Sequence, residues 1–247
     1  MKTYAVFKNS GEVDINAFKL LGASSKEDDD TKIGFWGSGL KYALAVLLRN
    51  DVEILASSGL KEIKIGKRNT TMRGEKYEVI TINNQPTSIT TRAGKDWELW
   101  FAIREIYANG LDEEGFEMTT SDGLEPEKGF TKIYVEMTDG IKDIFNNFER
   151  YFSKKRQPLE RLGRDKIYQC LDDHTLIIYR RGMRVHKEDV TFQPLYDYDI
   201  YNVKINESRV VTSGFELEWE MVELWRARPT LEMVNRFLTN KCWEVVS

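Results

Sequence analysis

Arg104-Glu105-Ile106-Tyr107-Ala108-Asn109-Gly110-Leu111-Asp112-Glu113-Glu114-Gly115 carries the polar pattern around which the chain is organised. Upstream, from Asp96, the residues Trp97, Trp100, Phe101, Ile103 and Tyr107 give the apolar spacing of a helix, and Gly115 closes it. On that helix Glu105, Asn109 and Asp112 stand at i, i+4 and i+7, so two carboxylates and an amide share one face. An amide oxygen suits a hard divalent cation, and a glutamate beside it can take a proton from water. The same triplet would also serve as a polar face turned to solvent.

A glycine turn upstream bears on that choice. Ile33 leads into Gly34-Phe35-Trp36-Gly37-Ser38-Gly39-Leu40-Lys41, and the apolar run from Leu40 to Leu48 then predicts a helix of about three turns. Glycines directly ahead of a helix let backbone N–H groups close around an anion, and the helix N-terminus favours negative charge. The turn lacks the Gly-Lys-Ser/Thr of a Walker loop, and a polar loop rather than a strand precedes it. That loop runs from Ala23 through Ser24, Ser25 and Lys26 into the acidic Glu27-Asp28-Asp29-Asp30.

The composition sets outer bounds. A chain of 247 residues suits two packed domains or one elaborated domain. Its 36 Lys and Arg against 40 Asp and Glu give a net charge of -4, so no global basic field draws nucleic acid, although a local patch remains open. Cys170 and Cys242 have no metal-ligand spacing, and neither His174 nor His186 has a partner at ligand spacing. No leader or long apolar span is evident, and the expectation is a soluble cytoplasmic protein that does not cross a membrane.

The remaining first half reads as strands. Thr3–Phe7 is a short buried strand ending in the turn Asn9-Ser10-Gly11, and Asp14 caps a short helix to Leu21. Asp51–Ala56, Lys61–Gly66, Tyr77–Ile82 and Thr87–Arg92 form an antiparallel meander, with turns at 69–74 and 83–86. A loop is expected over 116–128, then a strand over Gly129–Met137.

Together these pieces resemble the GHKL ATPases, the family of gyrase, Hsp90, histidine kinases and MutL. Glu105-Ile-Tyr-Ala-Asn109-Gly-Leu-Asp112 is similar to the family's N-box, and Gly34-Phe-Trp-Gly37-Ser38-Gly39-Leu40-Lys41 is similar to its second glycine box. Ser24-Ser25-Lys26 resembles the ATP lid, and Gly129-Phe-Thr131 the late strand whose threonine helps hold adenine. The resemblance covers residues 1–138 and implies a Bergerat-type α/β sandwich, α+β in class. The N-box comes after the lid and glycine box here, so a circularly permuted order is implied. Asn9-Ser10-Gly11 stands where the family has Asp-x-Gly-x-Gly, which leaves one glycine and replaces the acid by an amide.

The resemblance implies ATP and Mg2+ as cofactors. Glu105 would orient the attacking water, Asn109 would ligate the metal, and Asp112 would support the base of the pocket. Gly34, Gly37, Ser38, Gly39, Leu40 and Lys41 would cradle the phosphates, with Ser24, Ser25 and Lys26 closing over them. Asn9, Gly11 and Thr131 would lie on the adenine side.

Residues 139–247 are expected to form a smaller α/β domain. Ile141–Phe152 reads as an amphipathic helix, and Lys166–Leu171, Thr175–Arg180, Arg184–Val185 and Ile200–Ile205 as strands. Ser213 caps a helix through Phe215, Trp219, Val222 and Leu224, Pro229 starts another through Leu231, Val234 and Leu238, and the tail from Cys242 docks. The order of strands then helices resembles the family's transducer domain, which implies that Lys204 or Arg209 reaches the γ-phosphate. The expected function is ATP binding with slow hydrolysis, switching a protein partner, a homodimer or nucleic acid. The alternative is a module that binds nucleotide without hydrolysis, or that keeps only the fold to bind proteins.

Overall fold

A computed structural model of the chain describes residues 2–18, 39–206, 208–226, 230–240 and 242–246. The chain divides into two compact units, Met1–Asn146 and Asn147–Ser247. Both mix helices with sheets, so the class is α+β.

The first unit contains β1 (Tyr4–Ser10), α1 (Gly39–Arg49), β2 (Ile54–Ser58), β3 (Lys61–Met72), β4 (Glu75–Ile82), β5 (Gln85–Thr90), α2 (Leu99–Leu111), β6 (Glu117–Ser121), β7 (Phe130–Glu136) and α3 (Asp139–Asn146). Among the described residues seven strands form one sheet in the order β5-β4-β3-β2-β7-β1-β6, antiparallel at every pairing. Alternation assigns the faces. Phe7, Ile133, Ala56 and Ile63 are opposite one another in the register and share a face. α1 packs on α2, and α2 packs on β1 and α3, where Phe7 meets Phe145 at 6.4 Å. The other face carries a small cluster of Tyr4, Val6 and Tyr134 beside Leu55 and Leu124. Tyr134 pins the covering loop, donating to the Glu125 carbonyl at 2.9 Å and accepting the Glu125 N–H at 3.1 Å.

Turn chemistry explains the meander. Asn83 and Asn84 both take positive φ (+49° and +63°), the pair that a two-residue hairpin turn requires. Arg73 and Gly74 do the same at the β3–β4 tip, so β3 continues to Met72 and the turn is shorter than the expected 69–74. Pro86 sits in β5, an edge strand, where its missing N–H breaks no ladder.

Several expectations are corrected here. The loop expected over 116–128 contains the edge strand β6, whose Glu-Met-Thr-Thr-Ser sequence has no apolar alternation because it is largely exposed. The helix expected over 141–152 ends at Asn146 and gives way to two single 3₁₀ turns. The helix from Asp14 is a 3₁₀ turn over Ile15–Phe18, and its expected continuation to Leu21 lies outside the described residues.

The second unit contains β8 (Glu160–Leu162), β9 (Asp165–Gln169), β10 (Thr175–Arg180), β11 (Met183–Asp189), β12 (Tyr196–Asp199), α4 (Gly214–Arg226), α5 (Leu231–Thr239) and α6 (Trp243–Val246). Its sheet runs β11-β10-β12-β9-β8, with one parallel pairing, β10 to β12. The strand expected over Ile200–Ile205 is absent, and Ile205 makes only an isolated bridge to Val211. β12 lies just before it, concealed in sequence by two aspartates. α4 buries Leu217, Met221 and Leu224 against Ile167, Ile178 and Tyr198. Phe215 and Trp219, expected on the apolar side, stay 74% and 55% exposed. Two apolar stripes lie on this helix, and only one can face the core. Ser213 does cap it, accepting the Glu216 N–H at 3.4 Å. Pro229 lies outside the described residues. The tail docks through Glu244, whose carboxylate accepts the N–H groups of Leu195 and Tyr196 and the Tyr198 hydroxyl at 2.9–3.2 Å.

Candidate functional site

The predicted polar face of α2 is not solvated. Glu105 is 3% exposed and Asp112 7%, while Asn109 is half-buried. Burying a carboxylate is costly unless partners hold it. For Glu105 one partner is its chain neighbour: Arg104 Nε and Nη2 both stand 3.1 Å from Glu105 Oε1. Arg104 is itself fully buried, and Phe101, Trp100 and Trp97 from the preceding turns surround its guanidinium at 4.5, 5.2 and 5.7 Å. Aromatic faces and a carboxylate together compensate a buried cation. The sequence carries a signal for this role: Trp100 and Phe101 precede Arg104 by four and three residues on α2, and Trp97 stands just ahead of the helix.

The other carboxylate oxygen, Oε2, faces Gly39, the first residue of α1. A Cβ at Gly39 would overlap it, so only glycine allows this approach without displacing the acid. Lys41, also in the first turn of α1, is buried, and burial holds its ammonium below the usual lysine range. No acidic residue occupies that turn. A cation there opposes the helix dipole, and the combination raises the local positive potential. Leu40 stands next to Gly39 in the same turn. Ser24, Ser25, Lys26, Gly34, Gly37 and Ser38 lie outside the described residues.

At the far end of α2 the chain meets β1. Asn9 Nδ2 donates to the Gly110 carbonyl at 3.2 Å, and Gly110 is pressed against the Phe116 ring. From Glu105 to Gly110 is five residues, about 7.5 Å along the helix. Asp112 forms the helix C-cap, its N–H bonded to the Ala108 carbonyl at 3.2 Å. Thr131 is opposite Asn9 in the β1–β7 register. Its hydroxyl donates to the Gly11 carbonyl at 2.8 Å and accepts the Val13 N–H at 3.1 Å, and Gly11 takes the positive φ of +92° that the turn needs. Glu12 closes that turn by accepting the Gly129 N–H at 2.9 Å, a role that no local sequence pattern marks.

Lys204 and Arg209 lie in the second unit. Lys204 pairs with Glu216 at 2.8 Å, which raises its ammonium above the usual range, and lines an open groove of about 420 Å³ with Phe215 and Trp219. Arg209 is buried, with a positive φ of +56°.

Comparison with known proteins gives little to set beside this geometry. No family model matches the chain. No solved structure matches it either. Over an alignment of 106 residues, covering 40% of this chain and 41% of the curated relative's length, the chain is 31% identical to an uncharacterized protein of Mycoplasma pneumoniae.

Among the described residues no cluster of three or more His, Cys, Asp or Glu side chains could hold a metal, and no helix is long and apolar enough to cross a membrane.

Proposed function

We propose that the first unit is a circularly permuted GHKL-type domain of Bergerat fold that binds ATP with Mg2+ and hydrolyses it slowly, switching a partner protein or nucleic acid. One observation carries the reading: a carboxylate buried on α2 is held at one oxygen by Arg104 and meets at the other a glycine that opens a helix. A solvated helix face would need none of these features. The sandwich of helices on one face of an antiparallel sheet supports the same reading.

The donor set fits the nucleotide. Phosphates would lie at the start of α1, where the N–H groups of the first turn, the helix dipole and Lys41 favour an anion. Asn109 would hold Mg2+ there, and the ion would supply neutralisation of the phosphate charge. It binds through few protein ligands and keeps waters, so the half-buried amide of Asn109 suffices without an acidic cage. Glu105, oriented by Arg104, would accept the proton of the attacking water. Asn9 and the turn held by Thr131 would form the adenine end, and Asp112 the floor between.

A second reading has its own support. The Asn9 amide already donates to Gly110, and the Thr131 hydroxyl is committed to Gly11 and Val13. With these groups engaged inside the protein, the domain would bind nucleotide weakly or serve protein contacts alone. Calorimetric titration with a non-hydrolysable ATP analogue separates the two. The first reading expects Mg2+-dependent binding that Asn109→Ala abolishes; absence of binding by the wild type would leave the second.

A further inference from the structure

The sheet of the second unit has ends of opposite charge. Lys166, near the start of β9, is opposite Asp199 at the close of β12, and Asp199 is level with Tyr179 near the close of β10. Tyr179 is opposite Arg184 on β11, and Lys166 is opposite Arg161 on β8. These five residues form one row across all five strands, with their side chains on one face. Four strand spacings of about 4.8 Å make the row about 19 Å wide. Just beyond it lie two hairpin turns, one carrying Arg164 and the other Arg181, next to Arg180. The 3₁₀ turn Ser153–Lys155 reaches the same end. Ser153 donates to Asp199 at 2.9 Å, and Lys154 Cδ is 3.8 Å from where a Cβ of Gly182 would stand.

Eight cations therefore gather at this end, against Glu160, Asp165 and Asp199. The excess of five falls to four when Glu207, outside the described residues, is set against it. Asp199 is buried and engaged by Ser153, and Asp165 accepts the Tyr201 N–H at 2.8 Å, its carboxyl pushed above the usual range by burial. Among the described residues Lys154, Lys155, Arg161, Arg164 and Lys166 make no ion pair, and the first four are exposed. The opposite end holds acids: Asp172 and Asp173 follow β9, and Glu188 and Asp189 close β11. Two cations there are paired, Arg150 with Asp172 at 3.1 Å and Lys187 with Asp189 at 3.5 Å.

We infer that the basic end of this sheet binds the phosphate backbone of a nucleic-acid duplex. A duplex presents about one negative charge per 1.7 Å of its axis, so roughly eleven over the width of the row. Guanidinium groups meet phosphate oxygens with paired hydrogen bonds. A single strand would need open aromatic faces for its bases. Here Arg164 and Arg181 already lie 4.8 and 4.4 Å from the Tyr201 ring centre, and Arg184 lies 4.6 Å from that of Tyr151. Gly163, Gly182 and the half-buried Tyr201 stand between the cations, in place of the exposed apolar anchors that a protein interface or a lipid surface would use. The inference names the nucleic-acid partner among those proposed above. It rests on no residue of the α1–α2 site, so failure of nucleotide binding leaves it standing.

The test uses the full chain and fluorescently labelled mixed-sequence duplexes of about 30 base pairs, one DNA and one RNA, with anisotropy measured across a salt series. The variant Lys154→Gln/Arg161→Gln/Arg164→Gln removes three exposed cations that hold no carboxylate, so its thermal melt should match the wild type. Affinity at moderate salt should fall at least about tenfold, and the slope of log K against log salt should lose about 0.9 for each phosphate contact removed, roughly 2 to 3 in all. A charge-matched control, Lys61→Gln/Lys142→Gln/Arg226→Gln, should bind as the wild type does. Tighter binding of one duplex tells which nucleic acid supplies the phosphates. The inference is overturned if the wild type binds neither duplex at low salt, or if the control loses as much as the variant. It is equally overturned if polyglutamate, phosphatidylserine vesicles or a single strand competes as well as unlabelled duplex at equal charge.

Discussion

In the first unit Arg104 and Glu105 are chain neighbours on one helix; in the second Arg156 and Asp197 meet at 2.7 Å from positions 41 residues apart. Both pairs are buried, yet they are built differently. Arg156 also donates to the Tyr179 hydroxyl and the Gln169 carbonyl, and its guanidinium lies over Tyr168 at 4.7 Å. It thereby ties the 3₁₀ segment before β8 to β9, β10 and β12, and β12 is further anchored where Ser153 donates to Asp199 at 2.9 Å. Arg104 instead orients an acid on its own helix toward the glycine at the head of another. Burial and pairing alone therefore do not mark a site. What separates the two is whether the acid staples distant elements or is held against the first residue of another helix.

The hardest test of that distinction is Glu105→Ala. If Glu105 is the base, turnover should drop by on the order of 10²–10⁴-fold while the ATP analogue still binds. Unchanged phosphate release in the variant would remove the assignment. The melting temperature should fall as well, because the buried Arg104 cation loses its carboxylate and keeps only its aromatic surroundings, so retained binding of the analogue is the sign that the variant is folded.

The counterpart is Arg156→Met, which should leave nucleotide binding untouched and destabilise the second unit by about 3–5 kcal/mol at neutral pH, since it strands Asp197 without its cation. Chemical denaturation monitored by tryptophan fluorescence would report this, Trp219 and Trp225 both lying in that unit. A loss under about 1 kcal/mol would mean that the tie is dispensable.

The contrast between units also governs how much could be read without the structure. Elements with strong periodicity, α1, α2, β7 and β10, were legible, because a buried face imposes its spacing on the sequence. Glu105, Asn109 and Asp112 were legible as one face for the same reason. β6 was not, since an exposed edge strand needs no apolar alternation. β12 was not, because Tyr-Asp-Tyr-Asp looks like a turn until Arg156 and Ser153 arrive to hold its acids, and those partners are distant in sequence. The burial of Arg104 and the press of Gly39 on Glu105 are tertiary facts that no local pattern encodes.

A finer cut at the first site is Gly39→Ala. The added methyl meets Glu105 Oε2, and the carboxylate must move although Arg104 still holds its other oxygen. Misplacing a reacting group by about 1 Å can cost on the order of 10²-fold, so kcat should fall by up to that much with analogue affinity changed far less. Equal falls in kcat and affinity would instead place Gly39 in the phosphate cradle alone.

The smallest effect comes from titration. Burial pushes the Asp197 carboxyl up to about 6, against the pull of Arg156 and of the Leu171 and Ile177 N–H groups. A folded value above the unfolded one, near 4, means that the native protein holds this proton more tightly. The stability so gained is fully present below about pH 4 and is lost as pH rises through 6. Asp197→Asn cannot titrate, so the melting temperature of the wild type minus that of the variant should decline between pH 4 and 6 and level off above 7. Parallel curves for the two proteins would show that Asp197 stays ionised throughout. Its pairing with Arg156 would then outweigh its burial, and the second unit's pair would be as firmly charged as one built for chemistry.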